Sequence, residues 1–190
     1  MLFNMHKNFE GKHAPFSASQ SSWLRYTDEK LAEVHINKKA TEQGTLLHAW
    51  AKSTIDLGIR QPETGRSPYA YLYAYINDAI GFLMNTEVVL FFSENFYGTA
   101  DAICFRDNTL RIHDLKTGVT PVKMDQLEVY AALFCLEYKV KPADIDIELR
   151  IYQNNKKVIV HKPQAERILE IMKKIIHFDK ICKSIDGKEV

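Results

Sequence analysis

A short segment in the second half of the chain restricts the fold most strongly, because it predicts a hairpin whose register follows from its turn. Residues 97–106 and 109–116 alternate between apolar and polar side chains, as strands do. Asp107-Asn108 between them is typical of a two-residue turn. Counting outward from such a turn places Asp101 opposite Asp114, on the same face of the hairpin.

Two carboxylates in these positions need a compensating positive charge. Opposed side chains in an antiparallel pair lie about 5 Å apart at Cβ, where like charges repel each other. The rest of this face is apolar and consists of Ile103, Phe105, Leu110 and Ile112. Ionised carboxylates on a buried surface are unfavourable without a cation. Lys116 shares the face, so a divalent metal ion with this lysine beside it is the simplest compensation.

Composition and charge narrow the class of protein. A length of 190 residues suits a single domain over residues 1–190, of which 1–14 are expected to be loose. The hydrophobic share of 46% and the charged share of 26% are typical of a globular chain. The net charge of +1 excludes a polycationic surface, so local basic side chains or metal ions would have to hold any nucleic acid.

Targeting signals and cysteine pairs are absent from the sequence pattern. The N-terminus does not resemble a signal peptide, and no apolar run reaches the roughly 18 residues of a membrane span. We therefore expect a cytoplasmic protein with no membrane partner. Cys104, Cys135 and Cys182 are far apart and form no CxxC pair, which argues against structural zinc, an iron–sulfur cluster and a disulfide framework.

The order of the remaining elements indicates the fold class. A helix capped by Ser17–Ser19 and running through Leu31 comes first, and two further helices follow at about 41–57 and 68–84. The other predicted elements are strands at 87–93, 145–153 and 157–161, a turn at Asn154-Asn155, a helix at about 122–138 after Pro121, and a helix at about 163–183. This order predicts an α/β fold with a mixed central sheet flanked by helices.

Four short motifs follow one another along residues 44–130. They are GxxxH at 44–48, GxxD at 98–101, DxKxG at 114–118 and QxxxY at 126–130. Together they resemble the PD-(D/E)XK nuclease superfamily and, within it, the RecB-like exonuclease branch. Each motif is weak alone, but four in the same order and on suitable elements form a specific pattern. The resemblance implies a restriction-endonuclease-like core.

The resemblance also implies a set of metal ligands. They are the side chains of His48, Asp101 and Asp114 and the backbone carbonyl of Leu115. Carboxylate and carbonyl oxygens suit Mg²⁺ or Mn²⁺, and an imidazole nitrogen makes Mn²⁺ particularly acceptable, so we expect one or two such ions. A hydrogen-bonded core histidine is the alternative for His48. Glu87, at the start of the preceding strand, is interpreted as a surface carboxylate rather than as a ligand.

Three further residues are expected at the reaction centre. Lys116 would hold a positive charge near the attacking water and the phosphate. Gln126 and Tyr130 are four residues apart and so share a helix face, from which the resemblance has them orient the nucleophile or the DNA. Packing and capping are the alternative roles for these two side chains. His113 and Arg111 lie on the opposite face of the hairpin and are excluded from the chemistry.

A serine-rich segment near the N-terminus is a candidate DNA contact. Ser17 and Ser19, at the start of the first predicted helix, could hold a phosphate through their amides and hydroxyls, with Arg25 assisting. A plain helix cap is an equally good interpretation of the same serines.

The function expected from these residues and the resemblance is a metal-dependent DNA exonuclease in phage-type recombination, replication or repair. It would act at linear ends of double- or single-stranded DNA in a bacterial or phage-infected cell, without an iron–sulfur cluster. By analogy, a single-strand annealing protein is an expected partner. The alternatives are a structure-selective or restriction-like endonuclease and a non-catalytic DNA-binding module. The presence of Asp101, Asp114 and Lys116 together favours catalysis.

Overall fold

Two compact units make up the chain, Met1–Leu46 and Leu47–Val190. The computed structural model describes residues 7–9, 14–63, 67–118, 123–153 and 157–187. Pro121, the predicted turn at Asn154-Asn155 and most of the segment 1–14, which we expected to be loose, lie outside these described residues.

The helical arrangement of the N-terminal part differs from the prediction. Ala18–Arg25 forms a 3₁₀ segment, and a single helix, α1, runs over Asp28–Asp56. The two predicted helices were therefore wrong in their bounds, because Thr27 and not Ser17 begins the helix: its Oγ1 accepts a hydrogen bond from the amide of Lys30 at 3.3 Å. We expected a break between Leu31 and residue 41, but α1 contains no proline there that would end a helix.

The second unit contains the sheet. Its strands are β1 (Asn85–Ser93), β2 (Phe96–Arg106), β3 (Thr109–Lys116), β4 (Asp146–Gln153) and β5 (Ile159–His161), and its further helices are α2 (Ala70–Gly81), α3 (Asp125–Glu137) and α4 (Ala165–Asp186). The strand order is β1-β2-β3-β4-β5, with β3 and β4 parallel and the other neighbours antiparallel. The predicted α/β fold with a mixed, helix-flanked sheet is confirmed. Within the described ranges, none of the helices combines the length and apolar character of a membrane span.

Helices cover both faces of this sheet. The core on one face is formed with α3 and α4 and includes the fully buried Leu127, Ala131 and Ile168. The core on the other face is formed with α2 and the C-terminal turns of α1 and includes Ala51, Leu72, Tyr75 and Ile76. Strands buried on both faces have their backbone orientation fixed by packing on either side.

The turn between β2 and β3 has the geometry expected from its sequence. Asp107 and Asn108 have φ values of 48° and 57°, so both central residues are left-handed, as in a type I′ turn. The predicted register is confirmed from the pair Arg106–Thr109 out to the pair Ala102–His113.

The β1–β2 hairpin contains an irregularity that the sequence did not predict. Next to its turn Ser93 pairs with Phe96, but two residues further back Phe91 pairs with Tyr97. One extra residue on β1 is therefore accommodated as a bulge between Phe91 and Ser93.

The bulge brings Glu87 opposite Asp101. The flanking pairs are Thr86 with Ala102 and Val88 with Ala100. Glu87 itself has φ 51°, in the left-handed region that a non-glycine residue rarely adopts within a strand. Without the bulge, a ladder continued from the turn would put Val88 and not Glu87 opposite Asp101.

Candidate functional site

The predicted aspartates lie where β2 and β3 stop pairing. The ladder ends at the pair Ala102–His113, and Asp101 and Asp114 are the next residues on their strands. The amide of Leu115 donates a hydrogen bond to Oδ2 of Asp101 at 2.8 Å. The two strands are therefore joined beyond their last backbone pair by a bond to a side chain. The side chain of Asp114 is only 3% exposed.

Burial makes ionisation of these two carboxyl groups unfavourable. It raises the pKa of Asp101 from 3.8 to about 6, and the negative charge of Asp114 contributes to this shift, whereas the Leu115 amide, His48 and Lys116 oppose it. Burial also raises the pKa of Asp114, against the effect of the Lys116 ammonium. Nearby positive charge therefore favours the ionised form of both groups.

A continuous chain of hydrogen bonds joins four of the predicted residues. Nζ of Lys116 lies 3.0 Å from Oδ1 of Asp114 and donates to Oε1 of Gln126 at 3.0 Å. Nε2 of Gln126 in turn donates to the hydroxyl of Tyr130 at 3.1 Å. The structure thus brings together Asp114, Lys116, Gln126 and Tyr130 from β3 and α3, and it fixes the direction of the lysine.

Three possible ligands, one of them Asp101 itself, converge near this hydrogen-bond chain. The ligand atoms of His48, Glu87 and Asp101 all lie within 4.8 Å of one another. Nδ1 of His48 is 3.7 Å from Oδ2 of Asp101, which is too long for a hydrogen bond. Two atoms that share a cation at about 2.1 Å are roughly 3 to 4 Å apart, so this separation suits a common ion. Glu87 is exposed, as interpreted from the sequence, and its carboxylate nevertheless lies within this group.

An unpartnered oxygen supports a cation at this site. Oδ2 of Asp114 is buried and has no hydrogen-bond partner within the described part of the chain. A buried carboxylate oxygen without a partner is unfavourable unless a cation binds it. The residues that can hold such an ion are Asp101 and Asp114, with His48 and Glu87 beside them; the Leu115 carbonyl stays a predicted ligand. Hard oxygens with one imidazole fit Mg²⁺ or Mn²⁺.

Helix α1 is tied to β1 next to these ligands. Lys52 lies one helical turn beyond His48, and its Nζ donates to Oγ1 of Thr86 at 3.3 Å. The Thr86 hydroxyl donates to Asp56 of the same helix at 2.7 Å. Because Thr86 directly precedes Glu87, these hydrogen bonds join the turn of α1 that follows His48 to the segment of β1 that carries Glu87.

The ring of Tyr130 lies directly against the backbone at Gly98. A Cβ added to Gly98 would stand 2.8 Å from Cε1 of Tyr130, closer than real Cβ contacts come. Gly98 therefore allows the ring to approach β2. This contact gives a physical reason for the glycine of the GxxD motif.

Tyr75 of α2 is a neighbour of the site that the sequence analysis did not identify. Its side chain is almost fully buried. Burial raises its pKa above the ordinary value, and the charges of Asp101, Glu87 and Asp114 raise it further. Tyr75 is therefore a neutral phenol near the carboxylates, and its place in a run of tyrosines gave no signal of this.

His113 and the serine-rich segment are the remaining residues considered from the sequence. His113 is fully buried, with its ring centroid 5.7 Å from that of Phe82, and burial lowers its pKa to about 3. Ser17, Ser19 and Arg25 belong to the first unit, where the two serine hydroxyls lie 3.1 Å apart. Ser17 stands at the N-cap position of the 3₁₀ segment but makes no side-chain capping bond, and the DNA-binding role of the segment stays a prediction.

In comparisons with family models, curated proteins and solved structures, nothing matches this chain.

The raised pKa of Asp101 predicts a pH-dependent stability of the metal-free protein. A carboxyl group with a raised pKa stabilises the fold below pH 3.8, and this stabilisation is lost as the pH rises through about 6. In EDTA, the free energy of unfolding of the wild type relative to Asp101→Asn should fall by up to about 3 kcal/mol between pH 4 and pH 7. Urea titrations across this range measure the difference. Parallel pH profiles for the two proteins would contradict the assignment.

The Gly98–Tyr130 contact predicts a non-additive pair of substitutions. Gly98→Ala should destabilise the protein by about 1–3 kcal/mol, because the new methyl group displaces the ring. In a Tyr130→Ala background the same change should cost much less, and a double-mutant cycle by urea denaturation measures the coupling. Gly118→Ala, where an added Cβ would meet nothing within 4 Å, is the control. Equal losses in both backgrounds would show that the contact is absent.

Proposed function

We propose that this chain is a divalent-metal-dependent deoxyribonuclease that hydrolyses phosphodiester bonds, acting as an exonuclease. The observation that carries the proposal is the buried Asp114, which has one oxygen without a partner and the other against Lys116. Such an arrangement combines a place for a cation with a fixed ammonium group. The motif order in the sequence supports the nuclease class and its exonuclease branch.

The chemistry of phosphodiester hydrolysis fits these residues. A divalent ion, when bound, lowers the pKa of water and polarises a phosphoryl oxygen. Lys116 supplies a preorganised positive charge where negative charge develops on the phosphate. Gln126 accepts a hydrogen bond from Lys116 and donates one to Tyr130, so the three side chains keep a constant orientation towards the reacting group. Asp101 and Asp114 would supply the negative charge that retains the ion.

The biological setting is the part of the proposal that depends most on the resemblance. Small exonucleases of the RecB-like branch act on linear DNA in recombination, replication and repair, and we propose the same substrates for this chain. Mg²⁺ or Mn²⁺ is the proposed cofactor, since the ligands are mainly carboxylates. A single-strand annealing protein is the proposed partner.

Loss of Asp114 should abolish cleavage without unfolding the protein. Asp114→Ala should reduce the cleavage of end-labelled linear DNA in Mg²⁺ or Mn²⁺ by roughly 100-fold or more, because a charge that retains the ion is lost. Its metal-free stability should be equal or higher, since removal of one carboxylate relieves a repulsion. Asp186→Ala, in an exposed position on α4, is the control.

The choice of DNA substrate separates the alternatives in the same assay. Release of mononucleotides from linear ends supports the exonuclease, whereas cleavage of closed circles would indicate an endonuclease. Binding of DNA without cleavage in any metal would indicate a non-catalytic module. Wild-type rates in Asp114→Ala would place the metal elsewhere.

His48 and Lys116 should have separable roles. His48→Ala should weaken Mn²⁺ binding and be partly rescued by more metal, because an uncharged ligand is lost. Lys116→Ala should leave metal affinity nearly unchanged but lower the single-turnover rate beyond rescue, since this cation acts on the transition state. Calorimetric metal titration and single-turnover cleavage distinguish the two effects, with the exposed His177→Ala and Lys173→Ala as controls. Unchanged Mn²⁺ affinity in His48→Ala would make His48 a structural histidine.

A further inference from the structure

Beyond the end of β3, the first two strands continue as a two-stranded ribbon with one exposed face. β3 pairs with β2 over Ala102–Arg106, whereas β2 between Phe96 and Ala100 pairs with β1. One face of the ribbon packs against the core and includes Leu90 and Ala100. The other face, here called the ribbon face, consists of Val89, Phe91, Tyr97 and Thr99, all of which are exposed.

The ribbon face is unusually aromatic for an exposed strand surface. Tyr97 is 63% exposed, Val89 54% and Phe91 46%. Phe91 and Tyr97 are a cross-strand pair, with ring centroids 6.3 Å apart and ring planes at 31°. Contiguous exposed apolar groups on a protein surface usually mark a binding site.

The ribbon face leads along both strands to the candidate metal site. Glu87 is two residues from Val89 on β1, and Asp101 is two residues from Thr99 on β2. At about 3.3 Å per residue, Tyr97 is roughly 13 Å from Asp101 along the strand. This separation is the length of a few nucleotides, so one DNA strand can contact both places.

Next to the aromatic pair, the edge of β1 is not free to pair with an added strand. The amide of Phe91 donates to the carboxylate of Glu137 on α3 at 2.8 Å, so this edge group is already satisfied. A partner that pairs with β1 by strand addition would lose that bond. The exposed ring faces, in contrast, are open to a ligand that binds by stacking.

We propose that the ribbon face binds unpaired bases, so that the substrate of the proposed nuclease is a single-stranded DNA end. Aromatic side chains stack on bases with little dependence on sequence, at about 1–3 kcal/mol per base. Phe91 and Tyr97 provide two such rings, and the strand that they hold runs on to Asp101. The substrate preference rests on the proposed function, whereas the binding of bases does not.

Leucine substitutions test stacking separately from apolar contact. Tyr97→Leu and Phe91→Leu keep an apolar side chain on the strand but remove the ring. Binding is measured by fluorescence anisotropy in EDTA, with fluorescein-labelled oligothymidine of about 12 nucleotides and with a blunt duplex of the same length. Each variant should bind the oligothymidine about tenfold more weakly, with duplex binding unchanged. Tyr138→Leu, at a tyrosine that is 55% exposed elsewhere, should bind like the wild type.

Several outcomes would overturn the proposal. Unchanged oligothymidine affinity in both variants is one such outcome, and equal weakening of duplex binding is another. The third is a wild type that self-associates in sedimentation while the variants do not, which would make the ribbon face a protein interface. Thermal unfolding by circular dichroism checks that the variants are folded. Because binding is measured without metal, its failure is distinct from a failure of cleavage: a wild type that cleaves DNA while the variants bind normally rejects this proposal alone.

Discussion

Burial of two neighbouring carboxyl groups, Asp101 and Asp114, is the constraint on which the surrounding structure depends. Both groups have raised pKa values because packing on either sheet face keeps water away from them. Neighbouring groups stabilise the charged forms: the Leu115 amide donates to the Asp101 carboxylate, and the Lys116 ammonium lies beside the Asp114 carboxylate. Lys116 also donates a hydrogen bond to Gln126, which links α3 to the charged end of β3. The negative charge of such a site can be neutralised in two ways, by protonation of a carboxyl group or by binding of a cation.

The part of the site that depends on the β2–β3 hairpin was predictable from the sequence. A two-residue turn with left-handed residues allows one register, and the structure keeps it from Asp107-Asn108 to His113. The position of Glu87 was not predictable in this way. It depends on a bulge, and neither strand alternation nor turn composition indicates where one extra residue is accommodated. The sheet and its flanking helices followed from periodicity, because each element carries its own pattern.

Contacts between distant elements account for the other differences. The close approach of Tyr130 to Gly98 and the hydrogen bonds of Thr86 to Lys52 and Asp56 join residues that are far apart in sequence. A sequence motif can mark such residues as candidates, but it does not show which contact requires each residue type. The bounds of the first helix were wrong for a local reason: Ser17 is the more favourable cap by residue type, but the side-chain capping bond in the structure is made by Thr27.

The bulge in β1 also determines which changes of length this chain can accept. Extra residues at the hairpin tip, Glu94-Asn95, would enlarge a loop and leave both strands paired as they are. One residue gained or lost between Glu87 and Phe91 would instead slide Glu87 past Asp101 and turn it to the other face of the sheet. Over evolutionary time, sequences that descend from this one should therefore vary in length at the tip, while the count of residues from Glu87 to the bulge stays constant.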